Sequence, residues 1–105
     1  AQQTADIFAL NTRLAPAKII FEPALYNASA DMLADAIRQS SLPESADTLL
    51  VIAHNPGISQ LAIQCAADLA LGHLPPCGMV LLNAGIRSWA DFDVRHCSLL
   101  SLELP

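Results

Sequence analysis

The chain has 105 residues, of which 53% are hydrophobic and 14% charged, with a net charge of −5 and no cluster of Lys or Arg. A length of one domain, this apolar content and a mean hydropathy of +0.42 exclude a disordered chain, and the acidic balance excludes nucleic acid and anionic membrane as partners. Gln64 and Asp68 interrupt the longest apolar helical stretch, so no run approaches the roughly 18 residues a membrane span needs.

Taken in order, Ile7, Leu10 and Leu14 recur at helical spacing and predict a helix from Ala1 to Leu14, ended by Pro16. The chain opens on this pattern without an initiator Met, so either a segment has been removed or the sequence begins inside a longer protein. Lys18 to Phe21 reads as a short strand, and Glu22 to Ala28 as the loop leaving it. Ser29 as N-cap and Asp31 in the first turn open a helix carrying Met32, Leu33, Ala36 and Ile37, which ends near Ser40 to Pro43.

Leu49 to Ala53 is an apolar run centred on β-branched Val51 and Ile52, which predicts a strand buried on both faces, as in a parallel sheet. Asn55 then suits an N-cap and Pro56 the first helical position, N1. Ile58, Leu61, Ala62, Cys65, Ala66 and Leu69 form one apolar stripe, with Gly72 as the stop. His54 therefore falls between a strand end and a helix N-terminus, where free N–H groups and the helix dipole favour an anion.

His73 to Gly78 is a turn-rich connection, Met79 to Leu82 a strand, and Asn83 to Gly85 a break. The segment from Ile86 to Phe92 carries Trp89, read as a core or edge anchor. Val94 to Leu104 alternates at Leu100, Leu102 and Leu104, as a half-buried antiparallel or edge strand does. Cys65, Cys77 and Cys97 lack zinc-ligand spacing and read as reduced thiols of a cytoplasmic protein, so neither metal nor other cofactor is expected. His73 and His96 read as surface residues.

Four stretches in a fixed order carry a resemblance to a known family. These are Gln3-Thr4-Ala5, Leu25-Tyr26-Asn27-Ala28, His54-Asn55-Pro56-Gly57 and Pro76-Cys77-Gly78-Met79. Together they resemble the histidine phosphatase superfamily, of phosphoglycerate mutase-like fold, and most closely its SixA-like phosphohistidine phosphatase branch. The resemblance implies an α/β domain of three α/β/α layers on a mostly parallel sheet, with residues 1–105 forming the C-terminal part of one domain whose first central strand lies outside this chain.

It also implies a phosphatase acting on phosphohistidine or another phosphomonoester through a phosphohistidine intermediate. The family's nucleophile lies in an Arg-His-Gly type motif on the first strand, which this sequence lacks; Arg95-His96 is a chance match near the C-terminus. A second phosphate-binding Arg would directly precede Ala1, so the nucleophilic His and both Arg are expected from an N-terminal segment. The alternative is a non-catalytic phosphate-binding or assembly module of degenerate site.

His54 would be the second histidine of that site, donating to phosphate oxygens, against a plain histidine that caps the sheet. Asn55 and Gly57 are phosphate-binding candidates, although a helix cap explains Asn55 and close backbone packing explains Gly57. Glu22 is the candidate general acid or a solvated loop residue. Tyr26 and Asn27 either shape the substrate mouth or pack over the domain. Expected partners are a phosphorylated small molecule or phosphohistidine protein, plus self-association through the Leu49–Ala53 edge, which the absent first strand would leave unpaired.

Overall fold

A computed structural model describes residues 22–40, 42, 45–66 and 73–105. Their backbone forms two α-helices and one two-stranded antiparallel sheet, joined by three short 3-10 turns. The helices are α1 (Ala30–Gln39) and α2 (Gly57–Cys65), and the strands β1 (Met79–Asn83) and β2 (Ser98–Glu103). The expected helix from Ala1 to Leu14 and strand from Lys18 to Phe21 lie outside the described residues, as do Gln3-Thr4-Ala5, Leu69 and Gly72.

The start of α1 agrees with its sequence. Ser29 stands at the N-cap and its side chain accepts a hydrogen bond from the Met32 N–H at 3.2 Å, while Asp31 lies in the first turn and Arg38 in the last, both favourable to the helix dipole. Ala30, Leu33, Ala34 and Ile37 face inward. Arg38 pairs with Asp35 and also donates to the Phe92 carbonyl at 3.0 Å, tying α1 to the segment before β2.

The three-layer α/β/α arrangement on a mostly parallel sheet is overturned, because the sheet among the described residues has two strands and they run antiparallel. Leu49 to Ala53 is the source of the error. It forms no strand and none of its residues is fully buried; Leu49, Val51 and Ala53 pack against the core while Leu50 is 45% exposed. An apolar run reports that a segment will be partly covered, but a strand also needs a neighbour to complete its hydrogen-bond ladder. Self-association through an unpaired strand edge therefore has no strand at Leu49–Ala53 to rest on.

Helix α2 occupies the middle of the described fold. Leu61 and Cys65 join Ala28, Ala30, Leu33, Ala34, Ile37 and Phe92 in one core cluster, whereas Ala62 and Ala66 meet Val80, Leu82, Leu99 and Leu102 of the sheet in a second. A helix apolar on more than one side is the kind that is covered on more than one side. Trp89 packs against the first cluster and its indole N–H donates to the Ala46 carbonyl at 2.9 Å, which anchors the 46–53 segment.

The final strand is antiparallel, as its pattern predicts, but its faces are not those of simple alternation. Leu81 pairs with Ser101 and the next residue, Leu82, pairs with Leu99, so Leu100 is an extra residue in β2. This irregularity turns Leu99 and Leu102 inward and leaves Leu100 60% exposed. With Met79, Leu81 and Leu104, it gives the sheet an exposed apolar side. No helix among the described residues is long and apolar enough to cross a membrane.

Candidate functional site

Two of the stretches singled out in the sequence meet in space. The 3-10 turn Pro23–Leu25 runs into Tyr26 and Asn27, and Asn27 adopts a positive φ of 56°, a left-handed conformation that asparagine tolerates better than most residues. The turn then folds back, with the Ala28 N–H donating to the Leu25 carbonyl at 3.0 Å. This reversal brings the Tyr26 ring to 5.0 Å from that of His54, edge to face at 78°.

Gly57 fixes the same approach through the backbone. A Cβ at this position would lie 2.0 Å from the Ala28 carbonyl oxygen, so only glycine lets the first turn of α2 press against the 25–28 turn. Of the two roles open to Gly57 in the sequence, close backbone packing is the one the geometry carries. The Ile58 N–H donates to the His54 carbonyl at 3.1 Å, which seats His54 directly before the helix. His54 is half-buried and Tyr26 is 70% exposed, so the pair is open to solvent on the tyrosine side.

Asn55 has a different role from the one its position predicts. The N-cap is Pro56, after a cis Asn55–Pro56 peptide, and the first helical residue is Gly57. The Asn55 amide instead donates to the Leu74 carbonyl at 2.9 Å and its oxygen accepts from the Ser59 hydroxyl, while the Leu74 N–H donates to Ser59 Oγ at 2.7 Å. Ser59 is a buried polar residue of the core and Asn55 satisfies it. Both ends of the Asn55 side chain are thereby engaged in clamping the connection that leads to Pro76–Met79. Sequence reasoning missed Ser59; its spacing from Ala62 and Ala66 at i+3 and i+7 marks the buried flank on which a hydroxyl needs a partner.

Glu22 is exposed at the start of the Pro23–Leu25 turn. It lines an open groove of about 420 Å³ with Leu25, Met32, Asp35, Ala36 and Gln39, and His54 is not among the lining residues. Two carboxylates in one groove disfavour an anion there. Glu22 is thus not brought to His54 by this groove.

Asp93 and Arg95 pair with each other away from this site. Asp93 accepts from the Arg95 guanidinium at 2.6 Å and from its backbone N–H at 2.9 Å, which holds its carboxyl well below the usual range and raises Arg95. His73 and His96 are exposed. Pro75, Pro76, Cys77 and Gly78 form a turn closed by the Gly78 N–H to the Pro75 carbonyl at 2.9 Å, with Cys77 at a φ of 63°. Among the described residues, no group of three or more His, Cys, Asp or Glu side chains is placed to hold a metal ion.

The likeness to histidine phosphatases therefore stands on the four sequence stretches alone: no family model matches the chain, and comparison with curated proteins and with solved structures likewise finds no match.

Proposed function

We propose that His54, at the head of α2, contacts the phosphoryl group of a phosphomonoester or phosphohistidine, and that the chain takes part in its hydrolysis. The observation that carries this reading is the convergence of the Leu25–Ala28 turn on the junction, through Tyr26 against His54 and Ala28 against Gly57. A third stretch, Pro76–Met79, follows directly from the Leu74 connection that Asn55 and Ser59 clamp. Sequence stretches chosen for their likeness to one family thus share a neighbourhood.

In this reading His54 donates a hydrogen bond to phosphate oxygens and stabilises the charge that builds on them during transfer. Tyr26 borders the mouth of the site, and Gly57 and Asn55 hold its shape without touching the phosphate. His54 is a stabilising group and not the nucleophile, which the resemblance assigns to a separate Arg-His motif. The second reading is a phosphate-binding or assembly module without catalysis, which rests on the absence of an Arg-His-Gly type motif from this sequence.

The test combines turnover and binding. Hydrolysis of a phosphohistidine peptide and of an aryl phosphate is measured for the chain joined to the N-terminal segment that supplies the Arg-His motif, with His54 intact and as His54→Ala, and thermal melting and the imidazole NMR signals are followed as inorganic phosphate is added. Catalysis predicts a loss of turnover of about 100-fold or more at nearly unchanged Tm. Phosphate-dependent shifts of His54 without turnover support the binding module. Neither shifts nor turnover with His54 intact would exclude both readings.

A further inference from the structure

The outward flank of α1 carries a groove that the phosphate site does not use. Leu33, Ala34 and Ile37 turn into the core, and Met32, Asp35, Ala36 and Gln39, spaced at i, i+3, i+4 and i+7, share the side left to solvent. The turn that holds Glu22 and Leu25 stands against this stripe as a second wall, and the groove between them measures about 420 Å³. Its helix wall is about 10 Å long, the reach of about three residues of extended chain. Leu25, Met32 and Ala36 give it an apolar surface, on which Met32 is 48% exposed and, being unbranched, adapts to the shape that meets it.

Each wall adds a carboxylate, Glu22 from the turn and Asp35 from the helix. Arg38 holds one oxygen of Asp35 but also donates to the Phe92 carbonyl and does not line the groove. Among the described residues no cation pairs with Glu22. Asp31, one helical turn before Asp35, and the net charge of −5 have the same sign, so the field over the groove repels acidic segments and draws in basic ones. Carboxylates alone would hold any cation; the apolar surface beside them demands an apolar group on the same ligand. A small molecule is gripped by a pocket that closes around it, whereas an open groove gathers its contacts along a chain. We propose that the groove docks an extended segment of a partner protein in which Lys or Arg stands beside a large apolar residue. The apolar side chain lies on Leu25, Met32 and Ala36, and the cation reaches Glu22 and the remaining oxygen of Asp35. His54 does not line the groove, so this docking stands apart from the phosphate reading and does not depend on it.

The experiment titrates the full chain with capped hexapeptides of lysine alternating with leucine, lysine alternating with serine and glutamate alternating with leucine, and with spermidine, followed by amide NMR. Expected is saturable movement of the Leu25, Met32, Asp35, Ala36 and Gln39 signals with the lysine–leucine peptide. Exchange of its leucines for serine should weaken binding about fivefold or more, and the glutamate peptide should not bind. Glu22→Gln should weaken the lysine–leucine peptide about threefold and flatten its salt dependence. Met32→Ser should weaken it about fivefold, and since both positions are exposed each variant should keep its Tm. Equal binding of the lysine–serine peptide or of spermidine, movement of the Met79 and Leu81 signals in place of the groove's, or groove shifts that grow with protein concentration alone and so show a second copy there would each overturn the proposal. So would unchanged affinity in either variant, or no binding at all.

Discussion

The two ends of α2 are held in different ways. At the N-terminal end, Gly57 touches the Ala28 carbonyl and Ser59 satisfies Asn55 and Leu74, contacts that admit one residue type at one distance. At the C-terminal end, Cys65 and Ala66 rest among apolar side chains, contacts that depend on volume more than on direction. Polar and backbone contacts specify position, whereas apolar burial specifies coverage. The end beside His54 is for that reason the better support for a site, since a reacting group must be held within a fraction of an ångström.

Substitution at Gly57 disturbs the directional end most severely. Gly57→Ala places a methyl group on a backbone oxygen that has no rotamer through which to withdraw, so α2 and the 25–28 turn must part. A loss of about 3 kcal/mol or more is expected in urea unfolding, together with loss of the Tyr26–His54 contact by NMR. A Gly57→Ala chain of natural stability would contradict the close approach.

Ser59→Ala acts on the same end more gently. It leaves the Leu74 N–H without its acceptor and the Asn55 oxygen without its donor in a partly buried setting. The expected cost is about 1–3 kcal/mol, and the amide of Leu74 should exchange faster with solvent than its neighbours. Equal exchange in the two proteins would show that the clamp contributes nothing.

The effect at the apolar end appears only at high pH. A thiol of ordinary value ionises near 9.0 in the unfolded chain, while folded Cys65 keeps its proton to about 12, chiefly because of burial. The unfolded state thus binds fewer protons across that window, and stability falls as pH rises from about 9 to about 12, having been fully present below it. Melting curves between about pH 8 and 11 should show a decline that Cys65→Ala lessens, measured against the variant's own stability at neutral pH. The same burial predicts that Cys65 resists alkylation while exposed Cys77 reacts.

Local chemistry made part of the fold legible. Ser29, Asp31 and the spacing of Leu33 and Ile37 define α1 within a few residues of chain, and the structure keeps the helix from Ala30 to Gln39. The apolar stripe of α2 and the strand after Pro76 were legible for the same reason. His54 before a helix was legible too, although the strand expected to lead into it was not there. The role of Asn55 was misread because an asparagine before a helix commonly caps it, and nothing nearby in sequence announces that Leu74 will arrive to take its amide.

Where α1 starts, which residues of the two helices are apolar, and that a histidine precedes one of them were written in the sequence, because these follow from contacts three or four residues apart. Tertiary structure alone decided that Leu49 to Ala53 is a core segment without a ladder, that the extra residue Leu100 resets the faces of β2, and that Tyr26 meets His54. Each of those depends on which distant backbone arrives alongside. Hydrogen-bond ladders, register and ring contacts are properties of pairs, and the pattern of one segment does not name its partner.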